Sequence, residues 1–293
     1  MLRPRIISIG EVLWDLFPDG ERFGGAPANF ACHAALQGAE VVMISAVGND
    51  RRGHDAIEVL AEYGIDVNLV QAIPDAPTGT VGVELNAQGK PTFTIHERSA
   101  WDRIKWSDEI ASRVSSADAI CFGTLGQRSE VARQTIRRTI EAATQAGITR
   151  MVDINLRAPF FSPESIRESI QLASILKLSD EELAEVCSAC GVSEERNAVE
   201  KLRALIAFGD LEMIVMTRGA EGAVLVTSDA VLEQPGIAAN IVDTVGAGDA
   251  FAAAFLIGEL QGAARETNLR KACEVAAAAC SHAGAVLSRK QKA

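Results

Sequence analysis

Apolar residues recur along this chain in two periods, and the two alternate. Arg5 to Ile9 (RIISI) and Val41 to Val47 (VVMISAV) are short β-branched runs without a polar face, the pattern of strands buried on both sides. Between them, Ala26 to Gln37 has helical length and Gly38 closes it. His54 to Tyr63 sets Ala56, Ile57, Val59, Leu60 and Tyr63 at helical spacing, with Gly64 as its stop. The alternation continues with strands at Ala119–Phe122, Arg150–Ile154, Ser174–Leu178, Met213–Thr217 and Ala223–Thr227. Helices are expected at Ser129–Gln145, Asp180–Ser188, 249–261 and 266–281. Strands alternating with helices predict a mainly parallel sheet covered on both faces, hence a three-layer α/β sandwich.

One region departs from this rhythm. Thr78–Glu84 and Thr92–His96 alternate at period two around the turn-rich Asn86–Pro91, which reads as a hairpin without a helix. Leu13–Phe17 and Arg22-Phe23 are candidates to join it. The expected organisation is a core of residues 1–10, 25–77 and 103–293, with a small β-sheet from residues 11–24 and 78–102 inserted in it. Such a sheet suits either a lid over a site or an ordinary edge hairpin. The polar tail from Ser288 is expected to fray.

Composition narrows the function. With 293 residues, 48% of them hydrophobic, the chain can build one large α/β domain or two modest ones. A net charge of −11 argues against a nucleic-acid surface, yet leaves room for a small phosphate ligand held by a local site. No apolar run approaches the roughly 18–20 residues of a membrane span, so no membrane partner is expected. The opening MLRPRIISIGEVLWD meets Glu11 and Asp15 too early for a secretory signal and reads as a first core strand. Of six cysteines only Cys187-x-x-Cys190 is a close pair, and the four histidines are scattered. A cysteine metal site is therefore not expected, and a reducing, cytoplasmic setting is.

Candidate chemistry concentrates in Asp243-Thr244-Val245-Gly246-Ala247-Gly248-Asp249-Ala250-Phe251. A tight Gly246–Gly248 turn feeding a helix presents free backbone N–H groups and the positive end of the helix dipole, a ready anion site. Asp249 would stand in the first helical turn beside that anion. A carboxylate there is badly placed to hold a phosphate but well placed to take a proton from a hydroxyl attacking it. Helix capping alone also favours an acid at this position. Gly24-Gly25-Ala26-Pro27-Ala28-Asn29 reads either as a close ligand approach at a helix start or as a linker before a capped helix. Asp15 lies just past the first strand, where open α/β sheets bind ligands.

The string DTVGAGDAF resembles the C-terminal signature of the PfkB (ribokinase-like) carbohydrate kinases, and Gly24 to Gly53 resembles their N-terminal signature. The resemblance spans nearly the whole chain. It implies that Gly246, Ala247 and Gly248 bind the transferring phosphate and that Asp249 is the catalytic base. It implies that Asp15, Gly24, Gly25 and Asn29 bind a sugar. Asp153-Ile154-Asn155-Leu156-Arg157 resembles the D-x-N-x-R segment of fructokinase-like members, with Arg157 facing the phosphates or, on the plain reading, making a surface ion pair. The resemblance assigns Asn155, Thr217, Gly219, Gly222, Thr244, Gly246 and Gly248 to the nucleotide, and Ala276 to Gly284 to the adenine wall.

Many members carry Asn-x-x-Glu where this chain has Ser179-x-x-Glu182. Glu182 is accordingly a candidate to organise Mg²⁺ through water, and equally a capping-box residue. Asp243 and the loop from Ala283 to Ser288 match a region where some members bind a monovalent cation such as K⁺. The implied activity is ATP-dependent phosphorylation of a sugar primary hydroxyl. Gly24–Asn29, the D-x-N-x-R segment and Ala100-Trp101-Asp102 look most like a fructokinase making fructose 6-phosphate. Kinases for ribose, 2-keto-3-deoxygluconate or a nucleoside, and a non-catalytic binding regulator on the same fold, are the alternatives. The small sheet is also the expected interface of a homodimer.

Overall fold

The computed structural model describes residues 3–85 and 91–286. The chain begins with β1 (Arg5–Ile9), β2 (Leu13–Phe17), β3 (Gly20–Gly24), α1 (Ala26–Leu36), β4 (Glu40–Gly48), α2 (Arg51–Glu62) and β5 (Val70–Ile73). A hairpin follows, of β6 (Gly79–Leu85) and β7 (Pro91–Ile95). The alternation then runs α3 (Asp108–Val114), β8 (Ala119–Gly123), α4 (Glu130–Gln145), β9 (Thr149–Asp153), α5 (Pro163–Leu172) and β10 (Ile175–Ser179). After α6 (Leu183–Ala189) and α7 (Ala198–Gly209) come β11 (Met213–Thr217), β12 (Ala223–Val226) and β13 (Val231–Gln234). The last two helices are α8 (Ala247–Leu260) and α9 (Arg265–Ala279).

Nine strands form the main sheet in the order β13-β12-β11-β10-β9-β8-β1-β4-β5. The pairs from β11 through β5 are parallel, and β12 and β13 add an antiparallel edge. Period-two alternation splits the side chains between two cores. Ile7 and Ile9 of β1 face one with Ile44, Phe122, Ile136, Ile170 and Leu202. Ile6 faces the other with Met43, Phe30, Leu60, Phe251 and Leu269. Helices α3 to α7 therefore cover one face and α1, α2, α8 and α9 the other, giving the ribokinase-like three-layer arrangement. Winding runs outward from β1 to β4 in one direction and from β8 to β11 in the other. The crevice at the carboxyl ends of β1 and β8 is thus a topological switch point, where such sheets bind ligands.

Four strands form the small sheet in the order β3-β2-β6-β7. Here β2 pairs antiparallel with β3 and parallel with β6, while β6 and β7 form the expected hairpin, whose turn at 86–90 lies outside the described residues. Past β7 the chain returns to the core: Trp101 is fully buried in the cluster of Ile7 and Ile9. Arg128 clamps this return. Its guanidinium lies 3.8 Å from the Trp101 ring centroid, donates to both Asp102 oxygens at 2.7 and 2.8 Å, and donates to the His96 carbonyl at 2.8 Å.

Helix boundaries follow local capping. α2 starts at Arg51 rather than His54, because the Asp50 carboxylate accepts the Gly53 N–H at 2.8 Å. α6 starts at Leu183 rather than Asp180, since Asp180 to Glu182 form a turn. Five elements that the sequence reading leaves out are β5, β13, α3, α5 and α7. Among the described residues, no helix is long and apolar enough to cross a membrane.

Candidate active site

The switch point gathers the loops after β1, β8, β9 and β10 against the N-terminus of α8. Gly246 caps that helix with φ +80°, and a Cβ there would lie 2.4 Å from the Ala285 carbonyl oxygen, so only glycine fits. The helical ladder starts with Ala250 N–H donating to the Gly246 carbonyl at 2.9 Å. The N–H groups of Gly248 and Asp249 precede it and are left for a ligand, as at any helix start.

Asp249 occupies the first turn, as expected from the sequence. Its Oδ2 accepts from Asn29 Nδ2 at 2.9 Å across 220 positions of chain. Burial, and then the negative charge of Asp153, push its carboxyl up to about 7, against the Asn29 hydrogen bond and the charges of Lys177 and Arg157. A base poised there switches form near neutrality. Beneath the turn, buried Lys177 donates to both Asp153 oxygens at 2.9 Å. Its ammonium would lie 3.1 Å from a Cβ on Gly248, so a side chain there would press on the ion pair. Burial acts to lower the Lys177 ammonium, but the charge and hydrogen bonds of Asp153 raise it, which keeps it cationic.

On the small-sheet side stand Glu11, in the loop after β1, and Asp15, on β2. Burial raises Asp15 to about 6, opposed by the charges of Arg157 and Arg22. Burial raises Glu11 to about 7, with Asp249 adding to it and its own backbone N–H, Arg157 and Arg128 opposing. Gly25 has φ +103° and a Cβ on it would lie 2.6 Å from the Glu11 carbonyl oxygen, so the chain can enter α1 here only through glycine. A Cβ on Gly24 would meet Asp15 Oδ2 at 2.6 Å. Gly24 thus lies against Asp15, Gly25 against the Glu11 backbone, and Asn29 against Asp249.

Arg157 is exposed, and its charge acts on Glu11, Asp15, Asp153 and Asp249 together. Past β9 the segment turns, because Asn155 has φ +39°. Asn155 thereby joins Glu11, Asp153 and Asp249 around a small cavity, away from the nucleotide-side groove.

That groove encloses about 730 Å³ on the other side of the turn. Thr217, Gly219, Gly222, Thr244, Ala247 and Gly248 line it, and Ala276, Ala277 and Cys280 of the C-terminal helix region form one wall. Glu182 accepts the N–H of Leu156 at 2.7 Å and of Ser179 at 2.8 Å, tying the loops after β9 and β10 together. The second bond is one half of the expected capping box. Among the described residues, no group of three or more His, Cys, Asp and Glu side chains could hold a metal ion. Asp243 accepts from Val245 N–H at 3.1 Å and Gly284 N–H at 2.9 Å, which fixes the loop before the turn. The end of the suggested cation loop, at Ser288, lies outside the described residues.

The sequence reading assigned no role to Glu11 or Lys177. Glu11 carried a signal, being an acid directly after a buried strand at the ligand-binding end. Lys177 carried one as a lysine inside an otherwise apolar strand, because buried lysines need a paired carboxylate.

The start of α8 stands between a groove of about 730 Å³ and a small cavity lined by Glu11, Asp153, Asn155 and Asp249, and residues 18–292 match the pfkB family carbohydrate kinases. The chain belongs to that family. Curated relatives include the Escherichia coli fructokinase, 31% identical over 87% of this chain and 84% of its own. The Salmonella typhimurium aminoimidazole riboside kinase is 29% identical over 86% and 80%. A Vibrio cholerae fructokinase structure with fructose, ADP and calcium is 25% identical, superposes with a TM-score of 0.82, and covers 97% of this chain and 95% of that one. As a pfkB carbohydrate kinase, the chain is a phosphotransferase with an alcohol group as acceptor.

Proposed function

We propose that this pfkB kinase transfers the γ-phosphoryl group of ATP to the primary hydroxyl of D-fructose. The observation that carries the reading is Asp249 at the mouth of the Gly246–Gly248 turn. It lies between the groove of about 730 Å³ that Gly248 lines and the small-sheet side that carries Asp15, Gly24, Gly25 and Asn29. Asp249 takes the hydroxyl proton, the turn's N–H groups bear the charge of the phosphoryl group in flight, and Arg157 adds a positive charge. A Mg²⁺ ion suits this site on the ATP phosphates with mostly water ligands, since both oxygens of Glu182 already accept backbone bonds. Asp243, which organises the neighbouring loop, is the anchor for any monovalent cation. The fructokinase names among the relatives favour fructose, and the riboside kinase makes a nucleoside the next candidate. ATP consumption measured with fructose, ribose, 2-keto-3-deoxygluconate and a riboside tests the choice. Turnover with none of them would favour a binding regulator.

Asp15→Ala should raise the KM for sugar far more than that for ATP, because its partners are sugar hydroxyls. Each charged hydrogen bond lost costs about 1.5–3 kcal/mol, so steady-state kinetics should show at least about a tenfold rise in sugar KM. An unchanged sugar KM with a raised ATP KM would reverse the proposed geography.

The small sheet is read as a lid that excludes water from the transfer site. Sugar should protect the backbone amides of residues 11–24 and 78–102 from hydrogen exchange while the main sheet changes little. Phe93 on β7 is 52% exposed, and the strand register sets it on the face of the sheet that carries Asp15; an exposed apolar side chain on this sheet suits a second subunit packed against it. A homodimer through this sheet is the expected state in sedimentation. Exchange indifferent to sugar would remove the lid, and a monomer would remove the dimer.

A further inference from the structure

Glu11 is the buried acid that the proposed reaction leaves without a task. It is 3% exposed, and its Oε2 has no hydrogen-bond partner among the described residues. With Asp249, Asp153 and Asn155 it lines a cavity of about 20 Å³, whose other walls include Phe30, Phe122 and Leu125. A single water needs roughly 10–15 Å³ and two to four polar partners. The cavity meets both conditions and is far too small for a sugar ring.

The surroundings of the two acids are unequal. Asp249 has the Asn29 N–H at 2.9 Å and the Lys177 cation below it, and both favour its anion. Glu11 sits in an apolar wall with an orphaned oxygen. Its charged neighbours are Asp249, Arg157 and Arg128, and the Cys121 thiol of β8 faces it as well. Of the three carboxyls on the cavity, Asp153 is paired with Lys177, so Glu11 and Asp249 titrate as a pair, and the first proton leaves from the partner whose anion is better stabilised.

We propose that Glu11 is a positioning residue for phosphoryl transfer: it stays protonated beside an ionised Asp249 and donates to one water held in the cavity they share. The inference rests on the kinase reading above. The water accepts from Glu11 and donates to Asp249, fixing the face that the base turns toward the acceptor hydroxyl. A neutral Glu11 also keeps a second negative charge away from the oxygen that attacks phosphorus. In the transfer step the acceptor O–H bond breaks and its proton goes to Asp249. The new O–P bond forms as the bond to ADP breaks, and Glu11 retains its own proton throughout.

The test compares kcat and KM across pH for the unaltered enzyme, Glu11→Gln and Glu11→Leu. Glutamine keeps a donor of the same shape, so at slightly acid pH its kcat should stay within about threefold of the parent's, whereas leucine should lose about tenfold with little change in sugar KM. The parent should lose activity on the alkaline side as Glu11 ionises, and Glu11→Gln should not. A glutamine variant as impaired as the leucine one, or an unchanged alkaline limb in Glu11→Gln, would overturn the proposal. Infrared spectroscopy of the sugar-free protein supplies an independent reading. A protonated-carboxyl band near neutral pH should vanish in Glu11→Gln and persist in Asp249→Asn, and the reverse pattern overturns the proposal. If the enzyme phosphorylates no sugar, the kinase reading fails while this band still decides the state of Glu11.

Discussion

Asp249→Asn is expected to lower kcat by about 10²–10⁴-fold, the scale on which a general base contributes, with sugar binding nearly unchanged. Asparagine has the same shape and can still meet Asn29, so the first turn of α8 should persist. It cannot accept the hydroxyl proton. The carboxyl stands at about 7, raised by burial first and by Asp153 second. A raised acid holds its proton below that value and is an available base only above it. The parent's kcat should therefore climb as pH rises through neutrality, and that climb should be absent from the residual activity of the variant. Stopped-time assays across pH, paired with calorimetric titration of sugar, would check both parts. A variant with near-parental kcat would remove Asp249 from the chemistry.

Lys177→Met carries the second large effect, on stability. The lysine and Asp153 are both buried and joined by two 2.9 Å hydrogen bonds. Removing one partner of such a pair leaves an uncompensated charge and costs about 3–5 kcal/mol, whereas replacing both by apolar groups is often neutral. Urea unfolding should show this loss at neutral pH. Without its cation, Asp153 would keep a proton in the folded state that it releases on unfolding. Stability of the variant should accordingly fall as pH rises from the ordinary aspartate value toward the raised one, making the loss smaller in mild acid. Adding Asp153→Leu to Lys177→Met should restore most of the stability while the turn above, now without its buried cation, works poorly. If the single variant unfolds at the parental urea concentration, the pair does not support the turn in the way its geometry indicates.

Where the sequence reading missed elements, the reasons are local. α5 and α7 carry apolar residues at helical spacing, Ile166 and Ile170 in one and Leu202, Leu205 and Ile206 in the other, and both are strongly capped: Ser162 before Pro163 at one, and a reciprocal Asn197–Glu200 box at the other. Periodicity and capping signals together mark both, and the sequence reading passed over them. β5 and β13 are four-residue edge strands, too short for alternation to separate from loop. The displaced start of α6 has another cause. Glu182 gives its carboxylate to Ser179 and Leu156 rather than to a helix interior, and this choice depends on a loop 26 positions away in the chain.

The sequence by itself determined the layered α/β plan, the small sheet, and the helix starts at the two glycine motifs. Those features rest on nearest-neighbour physics: a period of two or 3.6, a glycine where φ is positive, an acid at a helix start. Only the tertiary structure decided which distant groups meet. It set Asn29 against Asp249, put Lys177 and Asp153 under Gly248, turned Asn155 toward the small cavity, and left Glu11 buried beside the base. The same physics makes these facts unreadable in one dimension. Desolvation and charge coupling depend on distance through space, and a carboxyl's proton is governed by neighbours that the order of residues does not name.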